Sequence, residues 1–209
     1  MIRRALIEQI RRKIYNGPVP NDATITENLV NQLLNQAIGV AAVNNYNGSL
    51  KMEGVAYINN SYYTTFKNIA ISADENFTYK IQLPSIPYSI GKNEGVSTVQ
   101  VRDPSDSKLS IPCIPLTANQ RGYFQTMRQP PNKVYYWSEG LFIYLFTAIL
   151  LISFTASIVM VSGGDSTSLD NVLNVPDDAI PFLIEYCTKE LLTEHSQKKD
   201  LQNDGVDQV

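Results

Sequence analysis

The spacing of apolar residues predicts two helices in the first fifty residues. Residues 2–14 carry an isoleucine or leucine at every fourth position on a basic background, and this narrow apolar stripe ends at Asn16-Gly17-Pro18. After a Pro-rich turn, Thr24 and Glu27 have the spacing of a capping box and begin a wider apolar face that fades at 44–48. We therefore expect a helical pair, with the second helix docked on the core and the first more peripheral.

A third helix is predicted near the other end of the chain. Pro176 and the two aspartates after it suit a first helical turn, because proline fixes φ there and carboxylates complement the positive end of the helix dipole. An apolar face follows over 180–192, and His195 is interpreted as a favourable cap for the end of the dipole. The polar residues 196–209 are expected to form a flexible tail.

Between these helices the pattern changes to short runs of β-branched and aromatic residues separated by Asn, Gly, Pro and Asp. The candidate strands are Gly54–Ile58, Tyr62–Ser72, Phe77–Leu83, Ser97–Arg102, Leu109–Cys113, Val134–Trp137, Phe142–Phe146 and Ile152–Val161. Prolines fall between these runs or at their ends, where the missing amide does least harm to a sheet. Strands of this length and spacing favour a small sandwich or barrel.

One uncharged run, residues 141–164, has two interpretations. Its length would allow a transmembrane helix, as in a membrane-anchored protein of the cell envelope with a span near 141–161. However, apolar and hydroxyl residues alternate from Ile152 to Ile158, which is the period of a half-buried strand, and Glu139-Gly140 separates two aromatic runs as a tight turn would. We therefore favour a long apolar β hairpin or arm, whose exposed surface another subunit would cover.

These elements together predict an α+β fold. It consists of an N-terminal helical pair (1–50), a central antiparallel β sandwich or barrel-like domain with a long apolar hairpin (51–170), a C-terminal helix (171–195) that packs on the N-terminal helices, and the tail (196–209). A chain of 209 residues is long enough to bury a core of this size.

The composition favours a protein that contacts other proteins. Charged residues make up 18% of the chain, against roughly 25% in an average soluble domain, and polar uncharged residues fill the difference. The charges are also unevenly placed, because the first sixteen residues are strongly basic and the residues from Asp177 onward are mostly acidic. A basic front and an acidic back suit head-to-tail or side-by-side pairing of subunits, which can close rings, although two independent solvated surfaces would give the same pattern.

The cysteines and the N-terminal residues indicate folding in a reducing cytoplasm. Cys113 and Cys187 lie far apart in largely apolar stretches, so we expect two buried free thiols. The first residues run straight into the helix pattern without the apolar core of a signal peptide. No membrane association is expected, and the sequons at Asn47, Asn59 and Asn76 carry no weight without a secretory route.

Candidate catalytic residues are scarce. His195 is the one histidine, which excludes a histidine-based triad or a histidine-rich metal site. Gly91-Lys92 lacks the other residues of a phosphate loop, and Gly163-Gly164-Asp165 is typical of a turn. The adjacent acids Asp177 and Asp178 are better explained as complements of a helix dipole than as an acid/base pair. We therefore expect no enzyme, no metal and no cofactor.

The residues expected at subunit interfaces are basic side chains of the first helix and aromatic side chains of the β domain. They are Arg3, Arg4, Arg11, Arg12, Lys13, Tyr62, Tyr63, Phe142, Tyr144, Phe146 and Phe154. The basic group could contact DNA phosphates or the carboxylates of a protein partner about equally well. Tyrosine suits a surface that is half apolar and half wet, although β propensity explains the tyrosines as well. The aromatic content also leaves open a glycan- or receptor-binding β module.

A family resemblance is carried by stretches that together span most of the chain. They are Leu6–Tyr15, Pro20–Ile25, Val30–Ala42, Thr65–Ile71, Ile81–Val99, Tyr135–Phe146 and Val175–Leu192. In their general residue pattern and their order along the chain, these stretches resemble small structural proteins of the crAss-like, short-tailed bacteriophages of gut Bacteroides. None of them is a catalytic signature, and the uncharged run 141–164 departs from the family pattern. The order of helix, β domain and helix is also similar to head-to-tail adaptor proteins of other short-tailed phages.

The resemblance implies a virion protein, assembled in the cytoplasm of the bacterial host, whose copies stack as dodecameric rings below the portal. Its partners would be copies of itself and the adjacent portal or tail ring proteins, and its lumen could contact DNA non-specifically. The implied function is that of a head-tail connector in the phage neck or tail, which forms part of the channel for DNA ejection.

Overall fold

The structure, a computed structural model, describes residues 1–21, 23–74, 78–88, 90, 95–105, 110–117, 120, 132–164 and 168–203, with 194–203 described as backbone only. The chain forms two compact units. A helical unit contains residues 1–62 and 163–209, and a β unit contains residues 63–162. In chain order, the β unit is therefore an insertion within the helical unit.

The main helices of the helical unit are α1 (Arg3–Ile14), α2 (Glu27–Glu53) and α3 (Ile180–Asn203). α2 begins where the Thr26 hydroxyl accepts a hydrogen bond from Leu29 N–H at 3.3 Å, so the capping residue is Thr26 and not Thr24. The helix passes through its predicted end at 44–48 and stops at Gly54, which adopts the left-handed conformation with φ 72°.

α3 is also longer than predicted. A short 3-10 turn over Asp177–Ala179 precedes it, and the helix continues through Asn203. The helix thus includes residues 196–203, which were expected to belong to the tail; polar residues alone do not end a helix, and no glycine or proline occurs among them. Residues 204–209 and the side chain of His195 lie outside the described residues.

The three helices share one apolar core. Its fully or nearly fully buried side chains are Leu6, Ile7 and Ile10 of α1, Val30, Leu34, Ala37 and Ile38 of α2, and Leu183, Cys187 and Leu191 of α3. Each helix packs against the other two. α1 thus supplies central core residues, which differs from the peripheral place expected for it.

In the described part of the β unit, seven strands close into a barrel. They are β1 (Tyr63–Ala73), β2 (Thr78–Gln82), β3 (Val96–Arg102), β4 (Ser110–Pro115), β5 (Val134–Glu139), β6 (Phe142–Phe146) and β7 (Thr155–Val161). The order around the barrel is β1-β2-β6-β5-β4-β3-β7. The predicted α+β class with terminal helices and a barrel-like β core is confirmed.

The sheet differs from the expected antiparallel one at a single pair of described strands. β4 and β5 run parallel, with Cys113 opposite Val134, whereas the other neighbouring strands are antiparallel. A parallel pair requires the chain to return to the same end of the sheet between its two strands, which explains the long separation of Pro115 at the end of β4 from Val134 at the start of β5. The candidate strand Gly54–Ile58 does not form, because Gly54 caps α2 and a 3-10 turn at Asn60–Tyr62 follows.

The uncharged run 141–164 is divided between β6 and β7, which are not neighbours. β6 pairs with β5 and β2, and β7 pairs with β1 and β3. Gly140 (φ 59°) and Leu141 form the tight turn from β5 to β6. The run therefore contributes two separate strands to the barrel and not one long apolar hairpin, because β6 and β7 each pair with other strands and not with one another. Among the described residues, no helix is both long enough and apolar enough to cross a membrane.

Candidate assembly surfaces

The first residues of the chain are fixed against the segment that precedes α3. Ile2 forms an antiparallel bridge with Val172, and Arg3 N–H donates to the carbonyl of Asn171 at 3.1 Å. Both Ile2 and Val172 expose about half or more of their side chains, at 49% and 62%. This pairing sets the point at which the Arg3 side chain enters the helical unit.

Arg3 is fully buried. Its Nη1 donates to Asn31 Oδ1 at 2.8 Å and to Asn35 Oδ1 at 2.6 Å, and its Nη2 donates to the carbonyl of Gly163 at 3.1 Å. Asn31 and Asn35 are four residues apart on α2, so both amides lie on the same side of that helix. The predicted role of Arg3 at a subunit interface is therefore corrected: its guanidinium is enclosed within one chain and joins α1, α2 and the glycine turn.

Three further basic side chains pair with carboxylates of the same chain. The pairs are Arg4–Asp170 at 2.8 Å, Arg11–Glu27 at 3.4 Å and Arg12–Glu8 at 2.9 Å. The hydrogen bond to Asp170 raises the pKa of Arg4 further above its ordinary value. Three of the five basic side chains are thus paired within the chain, and the partner of Arg4 was not apparent from the sequence because Asp170 lies 166 residues away.

Lys13 has a different environment from the arginines. It lines an open groove of about 660 Å³ between α1 and α3, together with Lys189 and Leu192. Neither lysine pairs with a carboxylate among the described residues, although Glu185 lies on the same groove. Of the five basic interface candidates, Lys13 therefore offers its charge most freely to a partner.

The two candidate tyrosines lie at the boundary between the two units in sequence. Tyr62 is 2% exposed, and burial, with a smaller contribution from the negative charge of Asp178, raises its pKa. Tyr63 is half-buried, and burial raises its pKa as well. Tyr62 is thus a core residue of the helical unit and does not present an interface.

An aromatic surface occupies the outside of the barrel across β5, β6 and β2. Trp137 lies opposite Tyr144, and their rings stack at 5.4 Å with an interplanar angle of 14°. The Phe142 ring lies 6.4 Å from that of Tyr144, and Lys80 Nζ sits 4.2 Å above the Phe142 ring. All four side chains are partly exposed, so the register brings two interface candidates, Phe142 and Tyr144, onto one surface.

The remaining two aromatic candidates are more enclosed. Phe146 is 7% exposed, and Phe154 is partly buried against the barrel core. Phe146 lies at the end of β6 opposite Tyr135. Phe146 in particular offers little surface to another subunit.

Sequence reasoning missed the most exposed apolar side chains. In the helical unit, Met52 is 89% exposed and Val55 65%; in the β6–β7 loop, Leu150 is 68% exposed and Ile152 70%. Leu151 between them is fully buried in the barrel core, so it anchors the loop while its two neighbours project. The sequence signal was present in the uncharged run, but only the structure shows which residues of that run face outward.

Within the described ranges, no cluster of three or more histidine, cysteine or acidic side chains could hold a metal ion. Comparison with protein-family models gives no match to this chain, and neither does a search of curated proteins.

Proposed function

We propose that the protein is a structural subunit that assembles with copies of itself, as a ring in the neck or tail of a phage virion. The observation that carries this proposal is the pair of projecting aliphatic side chains, Leu150 and Ile152, on a loop that Leu151 fixes to the barrel core. Single exposed apolar residues are ordinary on protein surfaces, but two on one anchored loop form a contact suited to a neighbouring subunit.

Burial of this loop would contribute substantially to association. Fully burying one leucine or isoleucine side chain is favourable by about 1.5–3 kcal/mol. Met52 and Val55 at the end of α2 offer a second apolar contact on the other unit of the chain. Two different apolar surfaces on one subunit suit heterologous contacts, which close into rings when the rotation between subunits allows it.

The phage setting rests on the resemblance of the sequence stretches. In that setting the ring lies below the portal, its neighbours are the portal or other tail rings, and its lumen forms part of the path for DNA ejection. Assembly in the bacterial cytoplasm is compatible with two free thiols at Cys113 and Cys187.

The proposal is tested by the solution mass of the full-length protein, measured by light scattering and checked by negative-stain images. We expect a closed oligomer for the wild type and a lower mass for L150S/I152S, with an unchanged thermal midpoint. The matched control is Ile86→Ser in the β2–β3 loop, which removes an isoleucine of similar exposure, 62%, elsewhere on the barrel. A wild-type protein that stays monomeric alone and with the portal argues against the proposal.

The aromatic surface supports a second candidate function, glycan binding. Trp137, Tyr144 and Phe142 present ring edges and faces beside the polar side chains Lys80 and Gln82, and such mixed surfaces can contact the C–H faces and hydroxyls of a sugar. Trp137 is the one tryptophan of the chain, so its fluorescence reports on this surface directly. Glycan binding would be favoured by a saturable change in Trp137 fluorescence on titration with neutral hexasaccharides, if Tyr144→Ala abolishes that change. An unchanged fluorescence spectrum would count against it.

A further inference from the structure

The open groove between α1 and α3 has a recognisable chemistry. Two ammonium groups, from Lys13 on α1 and Lys189 on α3, lie on it beside the half-exposed side chain of Leu192. Both threonine hydroxyls of the groove donate within α3, Thr188 Oγ1 to the Ile184 carbonyl at 2.6 Å and Thr193 Oγ1 to the Lys189 carbonyl at 2.9 Å. Recognition by this groove therefore depends on positive charge with an apolar contact.

The same helical unit carries a surface of the opposite kind. Asp177 and Asp178 are both exposed in the turn before α3, and neither pairs with a cation among the described residues. The half-buried Ile180 follows them at the start of the helix. Two carboxylates and an apolar side chain complement two ammonium groups and a leucine.

The two surfaces cannot meet within one subunit. Asp178 lies in the turn before α3, and Lys189 follows the first residue of α3, Ile180, by nine residues, which corresponds to roughly 14 Å of helix. They can meet between subunits, and an interface formed from two different surfaces of one chain is the kind that builds rings.

We propose that the turn Asp177–Asp178 of one subunit binds in the Lys13–Lys189 groove of a second copy of this chain. This inference rests on the proposed self-assembly and identifies one contact that orders it. Glu185 on the groove disfavours an acidic partner locally, so the net attraction comes from two lysines against one glutamate. The contact is then sensitive to salt, because exposed ion pairs are screened.

The test is charge reversal followed by mixing. K13E/K189E and D177K/D178K should each weaken self-association about tenfold or more, because two ion pairs become repulsive in every contact. When the two variants are mixed, every contact again joins opposite charges, and assembly should recover. Circular dichroism and thermal melting establish that each variant is folded.

The matched control is K67E/K133E, which makes the same change in net charge at two exposed lysines of the β unit that do not line the groove. We expect it to assemble like the wild type. If the wild type assembles and K13E/K189E assembles equally well, or if mixing does not restore association, the inference is wrong while the proposed self-assembly stands. If the wild type forms only a dimer, and mixing the two variants restores that dimer, the contact is supported and the ring is ruled out.

Discussion

Arg3 Nη2 donates a hydrogen bond to the carbonyl of Gly163 at 3.1 Å, although 160 residues separate them. The β unit occupies the chain between α2 and Gly163. This hydrogen bond therefore joins the two sequence segments of the helical unit on either side of the insertion, and the hydrogen bonds from Arg3 to Asn31 and Asn35 join its first helix to α2.

Removal of the Arg3 side chain should destabilise the helical unit. Arg3→Met keeps much of the apolar stem but loses three hydrogen bonds from a buried charged group, and we expect a loss of about 3 kcal/mol in the free energy of unfolding. Arg3→Lys should retain little of this stability, because an ammonium group lacks the planar guanidinium whose two nitrogens donate in different directions. Urea unfolding measures the effect, and Arg4→Met, on an exposed side chain, is the control. Equal effects of Arg3→Met and Arg4→Met would contradict this role.

Gly163→Ala should also be destabilising. Gly163 has φ 60°, and a Cβ there would lie 2.7 Å from Ile38 Cδ1 and 3.0 Å from Ile38 Cγ2. We expect a cost of about 1–3 kcal/mol from backbone strain and overpacking. Ile38→Val removes the closest contact, so the double variant should lose less than the sum of the single losses.

Gly48→Ala is the matched control for that experiment. Gly48 lies inside α2, and a Cβ there meets nothing within 4 Å. The substitution should stabilise the protein by roughly 0.5–1 kcal/mol, because alanine loses less backbone entropy than glycine in a helix. Thermal denaturation of both variants distinguishes a positional effect from a general response to alanine; a destabilised Gly48→Ala would contradict the helix boundary at Gly54.

Leu151→Ala should act on folding, in contrast to substitutions at its exposed neighbours. Leu151 is fully buried in the barrel core, so its truncation leaves a cavity, and we expect a loss of about 2–5 kcal/mol. Leu150→Ala, at a side chain that is 68% exposed, should leave the unfolding midpoint nearly unchanged. Guanidinium unfolding of the two variants checks the difference, and similar midpoints would argue against the inward orientation of Leu151.

The buried thiol of Cys187 should make stability decline at alkaline pH. Burial raises its pKa from 9.0 to about 12, so the folded protein keeps a proton that the unfolded chain releases. The stabilisation is complete below about pH 9 and is lost as pH rises from there towards about 12, by up to about 1.4 kcal/mol per pH unit. Urea unfolding between about pH 8 and about pH 10.5 should show this decline, and Cys187→Ala should make it shallower. An unchanged slope would mean that other groups account for it.

The local pattern of the sequence determined the types of element and most of their positions. The four-residue spacing in 2–14 gave α1, and short β-branched runs gave the strands from β1 to β7, because helix and strand periods follow from the geometry of neighbouring residues. The ends of α2 and α3 were harder to place. The capping-box spacing of Thr24 and Glu27 predicted the cap two residues too early, because local sequence fixes a helix end only to within one or two residues.

The tertiary structure alone decided which elements are partners and which side chains are free. β6 and β7 come from one uncharged run, yet each pairs with other strands, because pairing depends on register and chain closure and not on local period. Likewise, Arg3 and Lys13 look alike in sequence, but one is buried by α2 and the other lines an open groove. Counting charges in the sequence cannot distinguish the buried arginine from the exposed lysine, because the groups that enclose Arg3 are distant in the chain and come close only when the helical unit folds.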